Sequence, residues 1–193
     1  MDIAQLISEG TFNRPYRKYT LKSSLNPAIA FAMNHLGGLD DKDRILDPCC
    51  GSATILIERQ LLKPASCIGV DIDSQALDCA KENIQTAKLT IQLKHGNIQD
   101  QKFPDGYFTK IISNLPYGIH SGSREKNIEL YRFLAQICEK WLKQDGKAIL
   151  LTTSKKILWN AFADKKSMQF IDEIQIPYDK LNRSIFIYQK INS

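Results

Sequence analysis

A run of four residues, Asn114-Leu115-Pro116-Tyr117, combines groups that could hold a planar amine and the base that carries it. The side chain of Asn114 offers an amide oxygen that accepts hydrogen bonds. Pro116 stiffens the turn because its ring fixes φ, and Tyr117 offers an aromatic face on which a base can stack. The run follows the apolar-rich segment 107–113, which predicts that it lies at the end of a strand. We therefore predict that these four residues are catalytic.

The chemistry that this run suits is methyl transfer onto an exocyclic amino nitrogen of a nucleic-acid base. Such a nitrogen is a poor nucleophile because its lone pair is delocalised into the ring. The side-chain oxygen of Asn114 and the backbone carbonyl of Leu115 could each accept one amine hydrogen. Two such acceptors would draw the nitrogen toward sp3 geometry and free its lone pair, so no dedicated general base is required. A base inside a helix must first be flipped out.

A second segment, residues 47–54, lies between a predicted strand and a predicted helix. Gly51 and its small neighbours allow a ligand to approach the backbone, and the helix that follows presents free N–H groups. At the end of the next strand, Asp71 can accept hydrogen bonds from both hydroxyls of a ribose. A dinucleotide would require the further glycines of a Gly-x-Gly-x-x-Gly loop. A cofactor with an adenosine and an amino-acid tail, S-adenosylmethionine, therefore fits better.

We expect the cofactor to contact residues that lie at or just after predicted strand ends. These residues are Asp47, Cys49, Gly51, Ala53, Thr54, Asp71, Ile72, Asn97, Ile98 and Asn114. Asn97 has two interpretations, a contact to the adenine edge or a plain turn residue. We expect no metal, because the five cysteines lack metal-type spacing.

The order of the predicted elements indicates an α/β fold. Strands alternate with helices, which predicts a Rossmann-like, mostly parallel sheet with helices on both faces. The third and fifth strands are predicted at 90–93 and 147–152. The last two, at 168–176 and 183–190, are joined by a loop too short for a usual crossover, so we predict an antiparallel terminal hairpin. This is the order of the seven-stranded class I methyltransferase fold, in which ligands bind at the carboxyl ends of the strands.

Length and composition set the remaining bounds. The 193 residues fit one domain, and we divide it into an N-terminal helical or irregular extension, 1–38, and a core, 39–193. No apolar run approaches the ~20 residues that cross a bilayer. The N-terminus does not resemble a secretion signal, and the odd number of cysteines favours reduced thiols in the cytoplasm.

The formal charge of +5 permits a polyanionic partner. Basic residues that could contact phosphates fall in three clusters, and we expect at least one of these clusters to do so. The clusters are Arg14, Arg17, Lys18 and Lys22; Arg124 and Lys126; and Lys155 and Lys156.

Four segments in order resemble a known family. Residues 47–58, DPCCGSATILIE, resemble the DPxCGSGTILIE motif of the RNA methylases that modify guanine N2. Residues 69–83, GVDIDSQALDCAKEN, resemble the second motif of that group, and NLPYG at 114–118 its catalytic motif. Residues 14–30 resemble the segment that precedes the catalytic domain. The group is the UPF0020-like family, which includes tRNA guanine-N2 methyltransferases with a THUMP domain. The resemblance covers roughly residues 12–155 and implies S-adenosylmethionine, the class I fold and a base in tRNA or rRNA as substrate.

Two departures from the family pattern matter. Ala53 stands where the family has its last glycine; we expect it to be tolerated in a helical position, although it could crowd the methionine tail. Only about a dozen residues precede the Arg14 segment, so we expect no THUMP domain. RNA recognition would then need a partner protein, or a folded RNA whose target base is already unstacked.

Two alternatives remain open at this stage. The NLPY string also resembles that of the rRNA dimethyladenosine transferases, so adenine N6 of RNA or DNA is a second possible target. A scaffold that binds S-adenosylmethionine without catalysis is a third interpretation, although it would need neither Asn114 nor Tyr117.

Overall fold

The computed structural model of the chain describes residues 3–10, 13–21, 24–116, 124–177 and 180–192. Its helices are α1 (Ile3–Glu9), α2 (Pro27–Gly37), α3 (Thr54–Leu62), α4 (Ser74–Ala87), α5 (Arg124–Trp141) and α6 (Lys155–Phe162), with a short 3-10 helix at Ile98–Asp100. Its strands are β1 (Arg44–Asp47), β2 (Ser66–Asp71), β3 (Gln92–His95), β4 (Phe108–Asn114), β5 (Leu142–Thr152), β6 (Met168–Gln175) and β7 (Ser184–Lys190). None of the described helices is long and apolar enough to cross a membrane.

The seven strands form one sheet in the order β3-β2-β1-β4-β5-β7-β6. The five strands from β3 to β5 are parallel, and β7 runs antiparallel to both β5 and β6. This arrangement confirms the predicted Rossmann-like class I fold with its terminal hairpin. The strand order reverses between β1 and β4, so their carboxyl ends form the switch point at which ligands bind in such sheets.

Helices cover both faces of the sheet, as predicted. One face packs under α5 and α6, where the largest apolar cluster includes Ile111, Leu134, Leu150 and Leu158. The other face packs under α2 and α3 in a second cluster. The strands are apolar on both sides because both faces are buried.

Two strand predictions were wrong in their boundaries by two residues or more, and the two closing strands differ by one residue each. The third strand is Gln92–His95 rather than 90–93, because it pairs with β2 in a register that sets Asp71 opposite His95. The fifth strand begins at Leu142 rather than at 147, since Leu142 already pairs with Phe108. The residues between Leu142 and Lys147 form an irregularity within the strand, with Asp145 at φ 62°.

The N-terminal segment is tied to α3 and α4 by polar contacts. Arg14 donates to both carboxylate oxygens of Glu58, at 2.5 and 2.6 Å, and Tyr16 donates to the same carboxylate at 2.6 Å. Asn83 exchanges hydrogen bonds with the backbone of Tyr19. Arg14, one of the basic residues that could contact phosphates, has its guanidinium held in a buried ion pair with Glu58.

A second buried network joins the amino ends of β1 and β4 to α3. Asp43 accepts hydrogen bonds from Lys110, Arg59 and Thr109. Burial by itself would raise the pKa of Asp43, but these hydrogen bonds outweigh it and lower the pKa to about 2. This network fixes the end of the sheet that lies opposite the switch point.

Candidate active site

The candidate site is built from the carboxyl ends of three neighbouring strands. Since β1 lies between β2 and β4, the strand ends at Asp47, Asp71 and Asn114 meet at one edge of the sheet. Asp47 pairs with Gly69 in the ladder between β1 and β2. The residues that the sequence singled out from two distant motifs are thus brought together by the strand order.

The loop from β1 to α3 is docked onto β2. The Cys50 N–H donates to the carbonyl of Val70 at 2.9 Å, and the Gly51 N–H donates to Asp71 Oδ2 at 2.6 Å. The Cys50 side chain packs directly on Gly69, where an added Cβ would lie 2.8 Å from the sulfur. Both motif segments therefore form one unit, with the loop seated on the strand that carries Asp71.

Asp47 is 1% exposed and is held by protein groups. Its Oδ1 accepts from the Ser113 hydroxyl at 2.7 Å and from the Cys49 N–H at 3.2 Å. Burial raises the pKa of Asp47 to about 7; the two hydrogen bonds offset this only in part, and the nearby charge of Asp71 adds to it. Asp47 thus joins the cofactor loop to β4, one residue before Asn114.

The two loop cysteines are packing residues in this structure. Burial raises the pKa of both the Cys49 and Cys50 thiols well above the ordinary value, and the nearby carboxylates of Asp47 and Asp71 raise it further. A thiol with a raised pKa is a poor nucleophile and a poor metal ligand. Among the described residues, no group of three or more His, Cys, Asp or Glu side chains could hold a metal ion.

Ala53 does not occupy a helical position, so that expectation was wrong. Its φ of 60° and ψ of 23° place it in the left-handed region, at the N-cap of α3. Its side chain is fully buried in a cluster with Tyr16, Ile57 and Ala80. The methyl group is therefore part of the packing between α3 and α4. The left-handed conformation of an alanine destabilises the fold by roughly 1–2 kcal/mol, and the burial of its methyl group offsets about 0.8 kcal/mol of this free energy.

A short chain of hydroxyls runs beside the start of α3. Ser24 contacts Ser52 at 2.9 Å between hydroxyl oxygens, and Ser52 contacts Thr54 at 3.3 Å. Ser52 and Thr54 are buried. The Thr54 hydroxyl is thus engaged with a protein partner.

The end of β2 presents both a carboxylate and an exposed apolar side chain. Asp71 accepts from the Gly51 and Asp73 N–H groups, one on each carboxylate oxygen, which leaves further lone pairs for a ligand. Ile72 is 69% exposed and is the most exposed of the large apolar side chains that the structure describes. Asp73 caps α4 by accepting from the Gln75 and Ala76 N–H groups. Asp71 is therefore the acid that a ribose could reach.

The turn after β3 uses Asn97 as a cap. Its Oδ1 accepts from the Gln99 N–H at 3.0 Å, and its Nδ2 donates to the Gln99 side chain at 3.1 Å. Ile98 is buried in the core. These contacts support the interpretation of Asn97 as a turn residue.

Asn114 is the last residue of β4. Its Oδ1 is buried and has no hydrogen-bond partner in the part of the chain that the structure describes. The next residue, Leu115, donates its N–H to the carbonyl of Leu151 on β5 at 2.9 Å. Tyr117 lies outside the described residues, as do Lys22 and the side chain of Arg124.

Two polar residues behind this turn were not found from the sequence. Tyr131 on α5 donates to the Pro116 carbonyl and contacts the Thr152 hydroxyl at the end of β5. On the inward face of α5, Tyr131 is fully buried, whereas the neighbouring Leu130 is only partly buried. The spacing of Tyr131, Leu134 and Cys138 is the signal that could have revealed it.

The comparisons with known proteins agree with this architecture. The model of one family, described as the RMKL-like methyltransferase domain UPF0020, matches residues 14–183. The chain belongs to this family. The family resemblance drawn from the motifs is therefore confirmed.

Three similar proteins illustrate the relationship. A tRNA (guanine(10)-N2)-dimethyltransferase from Methanothermobacter thermautotrophicus is 34% identical over 146 residues, which cover 73% of this chain and 43% of that protein. The structure of TrmN from Thermus thermophilus superposes with a TM-score of 0.81 at 24% identity and covers 92% of this chain and 53% of that one. SMU.472, a putative methyltransferase complexed with SAH, gives a TM-score of 0.73 at 18% identity, with coverages of 93% and 55%. The chain thus spans about half the length of these proteins.

The cofactor of this family of class I methyltransferase domains is S-adenosylmethionine, as the sequence predicted. The residues at the strand ends fit it. Gly51 has a positive φ of 51°, and a Cβ placed there would meet no atom within 4 Å, so the loop is open to a ligand. Asp71 keeps acceptor capacity for ribose hydroxyls, and exposed Ile72 offers an apolar surface to a flat ring.

The buried Asp47 generates a prediction for stability against pH. The folded protein disfavours the ionised carboxylate, so its pKa is about 7 when folded and about 3.8 when unfolded. The free energy of unfolding should therefore fall as the pH rises from about 4 to about 7, by at most ~1.4 kcal/mol per pH unit from this group. Asp47→Asn should remove this contribution, since Asn Oδ1 can still accept from Ser113 and Cys49.

Urea unfolding of both proteins at pH 5 and pH 8 measures the effect. Asp47→Asn should gain stability relative to the wild type as the pH is raised. Asp78→Asn, at an exposed position on α4, serves as the control and should not. An equal pH dependence for Asp47→Asn and the wild type would show that Asp47 titrates in its ordinary range.

Proposed function

We propose that this chain is the catalytic part of a methyltransferase that transfers a methyl group from S-adenosylmethionine to N2 of guanine in RNA. The observation that carries the proposal is the Asn114 side-chain oxygen. It is a buried acceptor without a partner among the described residues, and it lies beside the strand ends that fit the cofactor. An unsatisfied buried acceptor costs about 1–3 kcal/mol, and an amine hydrogen would relieve that cost.

The mechanism assigns separate roles to the residues of the turn. Asn114 Oδ1 accepts one hydrogen of the amine, and the Leu115 carbonyl accepts the other, which directs the nitrogen lone pair away from the turn. When bound, the cofactor would supply an electrophilic methyl group on a positively charged sulfur. The N–CH₃ bond forms as the S–CH₃ bond breaks to leave a neutral thioether, and the methylated nitrogen, now acidic, releases one proton to water. Asp71 orients the ribose, and the loop at Gly51 positions the tail of the cofactor. Catalysis then rests on orientation, which can supply several kcal/mol of the barrier.

Guanine N2 is favoured over adenine N6 by the relative from Methanothermobacter, which is described as a guanine-N2 enzyme. The amine clamp itself serves either base, since both present an exocyclic N–H₂ group. Adenine N6 therefore remains the second candidate, and a catalytically inert scaffold is the third. We expect Tyr117 to stack on the base whether the target is guanine N2 or adenine N6.

We further infer that residues 1–38 and 39–193 form one domain. In support, α2 supplies Ile29 and Met33 to the same apolar cluster as β1 and β5, and Arg14 is ion-paired with Glu58 of α3. All five cysteines are free, which suits a reducing compartment such as the cytoplasm.

Recognition of RNA is proposed to require a further contribution, from a partner protein or from the fold of the RNA. Of the basic residues in the three clusters, Arg14 is held by Glu58 and Lys155 is ion-paired with Glu173 at 2.7 Å. Lys18 and Lys156 are exposed, and Lys156 lies at the start of α6, just after the end of β5. Among the described residues, the exposed members of these clusters are Lys18, Lys126 and Lys156.

The first prediction of this proposal concerns the cofactor. Asp71→Ala should weaken binding of S-adenosylmethionine by roughly 1.5–3 kcal/mol, the range for hydrogen bonds to a charged group, as measured by calorimetry. Asp73→Ala is the matched control, since it removes only the cap of α4 and should lower stability by about 1 kcal/mol with little change in affinity. Unchanged affinity for Asp71→Ala would remove Asp71 from the ribose site.

The second prediction separates binding from chemistry. Asn114→Ala should leave cofactor affinity nearly unchanged and lower methyl transfer by about 10²-fold or more, the loss seen when a transition-state hydrogen bond is removed. Asn160→Ala, at an exposed position on α6, should retain full activity. Nucleoside mass spectrometry of RNA treated with isotope-labelled cofactor measures both the rate and the product.

The product decides between the candidates. N2-methylguanosine supports the proposal, and N6-methyladenosine would favour the second candidate. Cofactor binding without any methylated nucleoside would favour the scaffold, and wild-type turnover by Asn114→Ala would contradict the amine clamp.

The third prediction concerns RNA affinity. Each phosphate contact adds ~0.7–0.9 to the slope of log affinity against log salt, so the isolated chain should bind RNA weakly with a slope near ~2. Lys156→Ala should lower the slope by about 0.7. Lys143→Ala, which removes an exposed lysine near the opposite end of β5, should leave the slope unchanged. Tight, selective and salt-insensitive binding of tRNA or ribosomal fragments by the isolated chain would show that no further recognition is needed.

A further inference from the structure

A chain of three hydrogen bonds lies behind the turn that carries Asn114. The Tyr131 hydroxyl donates to the Pro116 carbonyl at 3.1 Å and lies 2.6 Å from the hydroxyl oxygen of Thr152. The same Thr152 oxygen accepts from the Ser154 N–H at 2.8 Å. Tyr131 and Thr152 are both fully buried, so water does not compete for these bonds.

The direction of every hydrogen in this chain is determined. A carbonyl can only accept, so the single hydrogen of the Tyr131 hydroxyl points at Pro116. Thr152 must then donate to Tyr131, and its oxygen is left to accept from Ser154. Removal of either hydroxyl would leave a neighbour without its partner, in a buried place where that is costly.

This chain restrains the one torsion of Pro116 that remains free. The proline ring already fixes φ, and the orientation of the carbonyl defines ψ. On the other side of the turn, the Leu115 N–H is held by the Leu151 carbonyl at 2.9 Å. The turn is therefore held at two points that follow Asn114: β5 holds the Leu115 N–H, and α5 holds the Pro116 carbonyl.

We propose that Tyr131, with Thr152 behind it, is a positioning residue for methyl transfer. It holds the Pro116 carbonyl so that the Asn114 oxygen and the Leu115 carbonyl stay in the geometry that an amine requires. The proposal rests on the function proposed above. Tyr131 acts through the turn, because its hydroxyl contacts Pro116 in the turn and Thr152 at the end of β5.

The protein offers matched controls for both hydroxyls. Tyr188 on β7 is also buried, and its hydroxyl has no partner among the described residues. Ser184, opposite Thr152 in the β5–β7 ladder, is likewise buried with an unpartnered hydroxyl. Tyr188→Phe and Ser184→Ala therefore delete the same chemical group without breaking a described hydrogen bond.

Steady-state kinetics of full-length variants test the proposal. Tyr131→Phe and Thr152→Val should each lower kcat by about ten-fold, the equivalent of one neutral hydrogen bond, with cofactor affinity close to the wild-type value and a Tm lowered by a few degrees, because each leaves a buried group without its partner. Thr152→Ser retains the hydroxyl and should restore kcat. The double variant should lose little more than Tyr131→Phe, since both act through one chain. Unchanged kcat in Tyr131→Phe, or an equal loss in Tyr188→Phe, would overturn the proposal.

A second measurement does not depend on activity. Protein labelled with ¹³C-carbonyl proline and ¹⁵N-tyrosine gives a signal for each Pro-Tyr pair, of which the sequence has three: 15–16, 116–117 and 177–178. Only the 116–117 carbonyl shift should move in Tyr131→Phe, and none should move in Tyr188→Phe. If the wild type methylates no RNA, the proposed function fails. The chemical shift would still show whether Tyr131 holds the Pro116 carbonyl in place. An unmoved 116–117 signal would contradict the proposal in either case.

Discussion

The whole site depends on the docking of one irregular loop onto β2. The loop from β1 to α3 has no ladder of its own, and it is held by the Cys50 N–H on the Val70 carbonyl and the Gly51 N–H on Asp71. This docking is possible because residue 69 is glycine; any side chain there would collide with the Cys50 sulfur. A shift of the loop would move the start of α3 and the open face of Gly51, and would release the Asp71 carboxylate from the Gly51 N–H.

The same loop couples the cofactor side of the site to the catalytic turn. Asp47 bonds both the Cys49 N–H within the loop and the Ser113 hydroxyl on β4. A hydrogen-bonded carboxylate in this place gives rigidity at a cost, since burial raises its pKa to about 7. Stability is thus lost as the pH rises from about 4 to about 7, while the relation between the two strand ends stays fixed. Such local losses are common at functional sites.

The parts of the fold that the sequence predicted are those specified by local pattern. The strand ends at Asp47, Asp71 and Asn114 follow apolar runs, and strand order alone brings them together. What the sequence did not predict depends on distant partners. The left-handed Ala53 is stabilised by packing between two helices, and the pairing of Arg14 with Glu58 joins residues 44 apart. Neither feature can be predicted from the residues that are adjacent in the sequence.

An acceptor held without a partner imposes a selection of its own. Oδ1 of Asn114 can only accept, so a base that presents a carbonyl to it would leave two buried acceptors facing each other. A site built to hydrogen-bond an N–H group rejects a ligand that lacks it far more strongly than an apolar site can reject extra bulk. The amine clamp proposed above would therefore select amines over carbonyls. Guanine and adenine both pass this selection, so discrimination between them must come from groups that contact the rest of the ring.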